Sequence, residues 1–219
     1  LRKADLKAEC EQSLERLNIE TIDLYQCHWP DPTTLVSETM EGLLELQQEG
    51  KIRAIGVSNF TPEMMRACAS HGMVASDQPK YNALEREIEA DVLPFCREQD
   101  IAVLAYSPIA QGLLTGKVTV DREFPEGDAR RDKPMFSAEN RAKVLAMLEK
   151  VRPIADAHGI TLGQLFIAWT IAQPGITSAI VGARTESQVV ENARAGDAVL
   201  LPEEITALRN EVEALGTLG

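Results

Sequence analysis

The feature that most constrains the fold is a regular alternation of short apolar runs with longer amphipathic segments. Apolar residues recur at 3.6-residue spacing in eight segments, which predicts helices over residues 4–17, 36–49, 61–71, 86–99, 137–158, 161–173, 185–195 and 202–214. Five apolar runs predict buried strands over residues 22–28, 52–57, 75–78, 101–106 and 178–181. Apolar strands joined by helices favour parallel pairing, because both faces of a parallel sheet are covered. The sequence therefore predicts an α/β fold.

Composition is that of an ordinary globular protein and excludes several functions. The 219 residues (24.0 kDa) suffice for one large core, and we predict a single domain over residues 1–219. A formal net charge of −12 would repel a phosphate backbone, so we expect no nucleic-acid partner. No apolar run of about 18 residues predicts a membrane span, and no signal peptide is expected.

The cysteines lack the spacing of a zinc site or a redox pair. They are far apart in the sequence, at Cys10, Cys27, Cys68 and Cys96. A chain of this length does not need a disulfide framework. We therefore predict reduced, mostly buried thiols, no metal site and a cytoplasmic location.

Local signals set several element boundaries. Thr61 followed by Pro62 predicts the start of a helix, Gly50 predicts the end of the preceding helix, and Thr161 is a further predicted N-cap. Residues 120–134 are mostly charged and hold one glycine and two prolines. This composition predicts a long surface loop, and such loops often act as lids.

Polar and aromatic residues follow every predicted strand. The five ends read His28-Trp29, Ser58-Asn59-Phe60, Gln78 to Asn82, Tyr106-Ser107-Pro108 and Gly182-Ala183-Arg184. Because ligands gather at the carboxyl ends of parallel strands, we predict a binding site on this face. Purely structural roles are the alternative to a binding site. A lone histidine in an apolar run is usually structural, and the polar residues at the other strand ends are also typical of tight turns.

Five motifs together resemble one known family. They are DLYQCHWPD, GKIRAIGVSNF, QPKYN, LAYSPIAQGLLTGK and VGARTESQVVEN, in this order between residues 23 and 192. The set is similar to that of the aldo-keto reductases. The resemblance implies a (β/α)8 TIM barrel, to which this chain contributes about five βα units, strands four to eight. It also implies a nicotinamide cofactor, usually NADPH, and reduction of a small-molecule carbonyl substrate by hydride transfer.

The resemblance assigns roles to the residues that match the family's motifs. His28 matches the active-site histidine that orients the substrate carbonyl. Ser58, Asn59 and Gln78 match the residues that hold the nicotinamide carboxamide, and Tyr106 matches the ring that stacks on the nicotinamide. The segment that passes the pyrophosphate is matched by Ser107, Ile109, Gln111 and Gly112.

The last motif resembles the adenosine end of the family's cofactor site. Its matching residues are Gly182, Ala183, Arg184, Gln188, Glu191 and Asn192. Arg184 is assigned to the adenine and to the 2′-phosphate of the adenosine ribose, because a guanidinium stacks on a purine and pairs with phosphate. The residues at 188, 191 and 192 share one helix face, where they would meet the adenine edge and the ribose. NADP is therefore favoured over NAD.

Three catalytic residues of the family match no position in this sequence. They are the aspartate and the general-acid tyrosine after the second barrel strand, and the lysine on the third strand. We therefore expect this chain alone to be inactive. Because five strands cannot close an eight-stranded barrel, we also expect about a hundred residues with the first three strands to precede this chain.

Two alternatives to a reductase stay open. One is a regulatory cofactor-binding protein that resembles the β subunits of potassium channels. The other is an inactive fragment that binds without catalysis. The sequence does not identify the carbonyl compound, because variable loops such as residues 120–134 line the substrate pockets of the family, and it does not indicate an oligomeric state.

Overall fold

The computed structural model describes residues 1–218 and has an α/β fold; Gly219, the last residue of the predicted domain, lies outside the described residues. The strands are β1 (Ile22–Cys27), β2 (Ile52–Val57), β3 (Ser76–Asp77), β4 (Ala102–Tyr106) and β5 (Ser178–Ile180). The helices are α1 (Lys3–Leu17), α2 (Val36–Gln48), α3 (Pro62–Ala69), α4 (Val92–Glu98), α5 (Ala138–Ala157), α6 (Leu162–Ile171), α7 (Glu186–Ala193) and α8 (Pro202–Glu213). Every predicted strand and helix is present, and apart from α4 their ends differ from the prediction by at most two residues.

The predicted helix over residues 86–99 is wrong in its first half. Glu87–Glu89 form a short 3-10 turn, and α4 begins only after Asp91, whose side chain accepts a hydrogen bond from the Val92 N–H at 2.6 Å. Asp91 has a φ of −142°, outside the helical region, so a helix cannot continue through it. Apolar spacing alone does not reveal this break.

The five strands lie in the order β1-β2-β3-β4-β5. Parallel ladders join β1 to β2, β2 to β3 and β3 to β4, as the apolar runs predicted. β3 is short: the Gln78 N–H still donates to the Val57 oxygen at 2.9 Å, but Pro79 has no N–H and interrupts the pairing. The described strands thus belong to one five-stranded sheet, and closure of an eight-stranded barrel stays a prediction.

β5 is not the buried strand that the sequence predicted. Ser178 is exposed, and Ile180 is 43% exposed. The strand lies last in the order and has a sheet neighbour on one side only among the described strands, so less of its surface is covered.

The chain divides into two compact units. Unit 1 comprises Leu1–Pro79 and Ile88–Leu104, and unit 2 comprises Lys80–Glu87 and Ala105–Gly219. In unit 1, α2 packs against α1, α3 and β2, and the side chains of Leu43, Ile55 and Met65 are fully buried. A single domain over residues 1–219 stays a prediction.

Unit 2 is centred on Trp169 of α6. The Trp169 ring is fully buried and stacks on Tyr81, with centroids 5.9 Å apart and an interplanar angle of 22°. α5 packs against both α6 and α8. Burial of side chains of this size contributes about 1.5–3 kcal/mol each.

The structure reports directly on two further predictions. All four cysteines are free and buried, as the sequence predicted. Within residues 1–218, no helix has both the length and the apolar character needed to cross a bilayer.

Candidate functional site

Hydrogen bonds join three strand ends of unit 1. Ser58 Oγ donates to the backbone oxygen of Gln78 at 2.7 Å, which ties the end of β2 to the end of β3. Asn59 Nδ2 donates to Ser58 Oγ at 2.9 Å and to the backbone oxygen of His28 at 3.3 Å. The structure therefore brings together four residues that the sequence predicted for the site. We refer to His28, Ser58, Asn59 and Gln78 as the strand-end network.

The backbone of this network is unusual at Asn59, which has a φ of 61°. Asparagine tolerates the left-handed conformation better than most residues, because its short side chain bonds to nearby groups. Ser58 is buried, and Asn59 and Gln78 are half-buried. Hydroxyl and amide groups held at one sheet edge supply both donors and acceptors of hydrogen bonds.

His28 directly follows β1 and lines a cleft of about 400 Å³. Tyr25, Cys27 and Trp29 line the same cleft, and the rings of His28 and Trp29 are 6.2 Å apart at their centroids. Burial raises the pKa of the Cys27 thiol and of the Tyr25 phenol, each to about 12. Both groups therefore stay protonated at neutral pH and are poor nucleophiles there.

A buried carboxyl lies immediately beside the strand-end network. Asp77 of β3 is fully buried, and neither of its carboxyl oxygens has a hydrogen-bond partner of normal geometry. Burial raises the pKa of Asp77 to about 7, while the peptide N–H groups of Phe60 and Gln78 approach the carboxyl and oppose that rise.

In unit 2, the segment after β4 carries several positive φ angles. They are 58° at Ser107, 47° at Ala110, 53° at Gln111 and 95° at Gly112. Only glycine adopts such angles freely, and each other residue costs about 1–3 kcal/mol. Strain of this kind is concentrated at ligand sites, which agrees with the predicted role of this segment.

Two buried residues hold the start of that segment. Asn82 Nδ2 donates to the Ser107 oxygen at 3.1 Å, and the Tyr81 N–H donates to the Tyr106 oxygen at 3.1 Å. Asn82 also accepts from the backbone N–H of Glu85 at 3.0 Å, which makes it a turn residue. Asn82 therefore both forms a turn and positions the end of β4.

Two cationic side chains of the predicted loop contact Gln111. Arg130 Nη1 lies 3.4 Å from the Gln111 backbone oxygen, and Lys133 Nζ lies 3.1 Å from its Oε1. Asp128 accepts two hydrogen bonds from the Arg130 guanidinium, at 2.9 and 2.6 Å, and that guanidinium lies 4.7 Å from the Phe124 ring. Residues 120–133 form a loop, as predicted, and its action as a lid stays a prediction.

Two hydrogen bonds link predicted residues before α7 to predicted residues within that helix. The Arg184 N–H donates to Gln188 Oε1 at 2.7 Å, and Asn192 Nδ2 donates to the Gly182 oxygen at 3.4 Å. The Arg184 side chain is exposed. Hydrogen bonds from Arg130, and more weakly the charge of Arg184, hold the pKa of Asp128 well below its usual range.

Three further predicted residues of unit 2 take no part in these two hydrogen bonds. Glu191 Oε1 accepts a hydrogen bond from Thr161 Oγ1 at 3.2 Å and lies 4.0 Å from Lys117 Nζ, so it contacts α6 and a loop lysine. Ala183 is exposed, and Ile109 is half-buried beside the strained backbone of Ala110.

Sequence reasoning missed three residues next to the predicted site. Asp77 stands beside Gln78 in the QPKYN region, where one acidic residue in an apolar run carries no distinctive pattern. Arg130 and Lys133 belong to a charged loop, and their contacts with Gln111 depend on how that loop folds. The cationic stretch DARRDK was the available signal for them.

Comparison with known proteins identifies the family of the chain. The model of the aldo/keto reductase family matches residues 1–213. The chain is 39% identical over 218 residues to the NADH-specific methylglyoxal reductase of Escherichia coli (strain K12), an alignment that covers 98% of this chain and 66% of that protein. It is 37% identical over 183 residues to aldo-keto reductase yakc of Schizosaccharomyces pombe, whose name includes NADP(+), covering 82% of this chain and 54% of that protein.

The solved structure of the glycerol dehydrogenase from Gluconobacter oxydans is similar as well. Its TM-score is 0.93 at 38% sequence identity, and the match covers 98% of this chain and 65% of that one. The chain thus spans two thirds or less of the length of these three relatives. Because the family model matches nearly every residue, the chain belongs to the aldo/keto reductase family.

Proposed function

We propose that the protein to which these 219 residues belong reduces a small aldehyde or ketone to an alcohol with a nicotinamide cofactor. The observation that carries this proposal is the strand-end network, in which Ser58 and Asn59 are hydrogen-bonded to the backbones of Gln78 and His28. Relatives named as a methylglyoxal reductase and a glycerol dehydrogenase support it.

The residues predicted for the site fit parts of a nicotinamide nucleotide. A carboxamide is planar and both donates and accepts, which matches the groups of Ser58, Asn59 and Gln78. Tyr106 supplies a flat ring at a strand end, and the backbone that follows it can approach a pyrophosphate closely at Gly112, which has no side chain. When bound, the cofactor supplies the hydride.

In this proposal His28 donates a hydrogen bond to the substrate oxygen. Negative charge develops on that oxygen as hydride reaches the carbonyl carbon, so a donor aimed at it stabilises the transition state. The His28 side chain is exposed at a cleft, which leaves it accessible to a small substrate.

The 219 residues alone are expected to bind cofactor without turnover. Their tyrosines are unsuited to donate the proton, because burial raises the pKa of Tyr25 to about 12 and Tyr81 is fully buried against Trp169. The third, Tyr106, is assigned to stacking on the nicotinamide.

We further propose NADPH as the preferred cofactor. Arg184 presents an exposed guanidinium at the start of α7, where it can pair with a 2′-phosphate. The names of the relatives are divided, since one is NADH-specific and another carries NADP(+). A smaller dissociation constant for NADPH than for NADH is expected, and the reverse order would overturn this part of the proposal.

Turnover tests the function directly. The whole protein to which these residues belong, rather than the 219 residues alone, is mixed with NADPH or NADH and a panel of methylglyoxal, dihydroxyacetone, glyceraldehyde and simple aldehydes, and loss of the reduced cofactor is followed by absorbance. We expect turnover that falls about a hundredfold in His28→Gln. His71→Gln is the matched control, because His71 is exposed just after α3 and away from the strand-end network. Tight cofactor binding without turnover of any carbonyl compound would favour the regulatory alternative.

A further inference from the structure

Asp77 is a buried polar group whose presence needs a reason. Its side chain is fully buried, and in the described part of the chain its carboxyl oxygens make no ion pair and no hydrogen bond of normal geometry. Burying an unsatisfied carboxyl is costly, and in native proteins such groups are often functional. An apolar side chain would serve the packing of β3 better.

Asp77 is adjacent to two residues of the strand-end network, Ser58 and Gln78. It pairs with Val57 in the parallel ladder, and Ser58 follows Val57 directly. It precedes Gln78, whose backbone oxygen accepts the Ser58 hydrogen bond. Asp77 therefore lies where two of the strand ends of the network meet.

The turn that presents Asn59 brings a donor toward this carboxyl. Asn59 has a φ of 61°, and the next peptide N–H, that of Phe60, approaches the Asp77 carboxyl. The Phe60 side chain is itself buried, which fixes that end of the turn. A carboxylate that attracts the Phe60 N–H would offset the strain of the left-handed residue before it.

We propose that Asp77 is a positioning residue, which in its ionised form attracts the Phe60 N–H and so holds the Ser58–Phe60 turn in the conformation that binds the nicotinamide carboxamide. It touches neither substrate nor cofactor and acts through Ser58 and Asn59. This inference rests on the proposed function for its effect on cofactor binding, whereas the control of the turn is independent of that function.

The consequence is a cofactor affinity that depends on pH in the neutral range. Burial raises the pKa of Asp77 to about 7, so the carboxyl changes its charge near neutral pH. The titratable group that interacts with it from α4 is Cys96, and burial raises the pKa of that thiol to about 12. Cys96 therefore stays neutral over this range, and the change in charge belongs to Asp77.

The first readout needs no cofactor. The amide resonance of Phe60 is followed by NMR from about pH 5 to about pH 8.5, a range that spans the expected midpoint. In the parent chain the Phe60 amide should shift with a midpoint near 7, and in Asp77→Asn it should not. A Phe60 amide that behaves identically in both proteins would overturn the proposal.

The second readout is the dissociation constant of NADPH and of NADH, measured by calorimetry over the same pH range. In the parent chain the constant should rise about tenfold between about pH 8 and about pH 6, as the carboxyl takes up its proton. Asp77→Asn should bind weakly at both pH values, because its amide mimics the protonated form. Use of NADH removes the 2′-phosphate, which titrates near 6, from the comparison.

Ser76→Ala is the matched control. Ser76 precedes Asp77 in β3, is equally inaccessible to solvent, and donates a hydrogen bond to Gln26. Ser76→Ala should keep the pH dependence of the parent chain. The same pH dependence in Asp77→Asn, or none in the parent chain, would contradict the proposal. A parent chain that binds no cofactor at any pH would instead refute the proposed function, and the Phe60 amide would still decide whether Asp77 controls the turn.

Discussion

The carboxyl of Asp77 is buried, and no side chain among the described residues forms a hydrogen bond or an ion pair with it. Burial raises its pKa from the ordinary value of 3.8 to about 7, which means that the folded protein holds this proton more tightly than the unfolded chain does. The folded state therefore gains stability from Asp77 below about pH 4 and loses it as the pH rises to about 7. Function and stability make opposite demands on this residue, as is common at binding sites.

Asp77→Asn should stabilise the protein at about pH 8 and change its stability little at about pH 4. Removal of a buried charge whose pKa lies about three units above normal is worth up to about 4 kcal/mol at the higher pH. Urea unfolding at the two pH values measures the difference. Asp132→Asn is the control, because Asp132 is exposed, and it should have little effect at either pH. An equal stability change for Asp77→Asn at both pH values would show that its charge is not the cause.

At the scale of elements, helix boundaries follow from local chemistry while loop contacts do not. Thr161 accepts from the Gln164 N–H at 3.2 Å and Thr61 from the Met64 N–H at 3.3 Å, as the N-cap pattern predicted. Periodicity missed the break at Asp91, because apolar spacing continues across it. The contacts of the loop at residues 120–133 depend on side chains distant in the sequence, such as Gln111, so no local pattern could predict them.

Arg130→Ala should loosen that loop, which spans residues 120–133. Arg130 links Asp128, the Phe124 ring and Gln111, and the pair with Asp128 is largely shielded from solvent. Its loss should cost about 1–2 kcal/mol locally, which corresponds to roughly tenfold faster amide exchange or proteolysis within the loop. Arg131→Ala is the control, because the Arg131 side chain is exposed. Equal protection in the two variants would show that Arg130 does not order the loop.

At the scale of the whole molecule, the sequence predicted the α/β class, the five strands and the residues at their ends. The parallel pairing of β1 to β4 was predicted from apolar runs that alternate with amphipathic helices, which is a strong constraint. The exposure of β5 and the lack of a hydrogen-bond partner for the buried Asp77 carboxyl could not be predicted, because both depend on which groups of neighbouring elements lie next to them. Motif order identified the family, and the matching residues then named Ser58, Asn59 and Gln78 before their hydrogen bonds were known.

Calorimetric titration of the 219-residue chain with NADPH tests the central claim, that the strand-end network binds a nicotinamide cofactor. We predict binding to the parent chain and an affinity at least tenfold lower in Asn59→Ala, which removes the hydrogen bonds to Ser58 and His28. Asn18→Ala is the matched control, because Asn18 ends α1 with a similar φ of 53° and alanine strains both backbones alike. Equal affinity in Asn59→Ala and Asn18→Ala, or no binding to the parent chain, would contradict the claim.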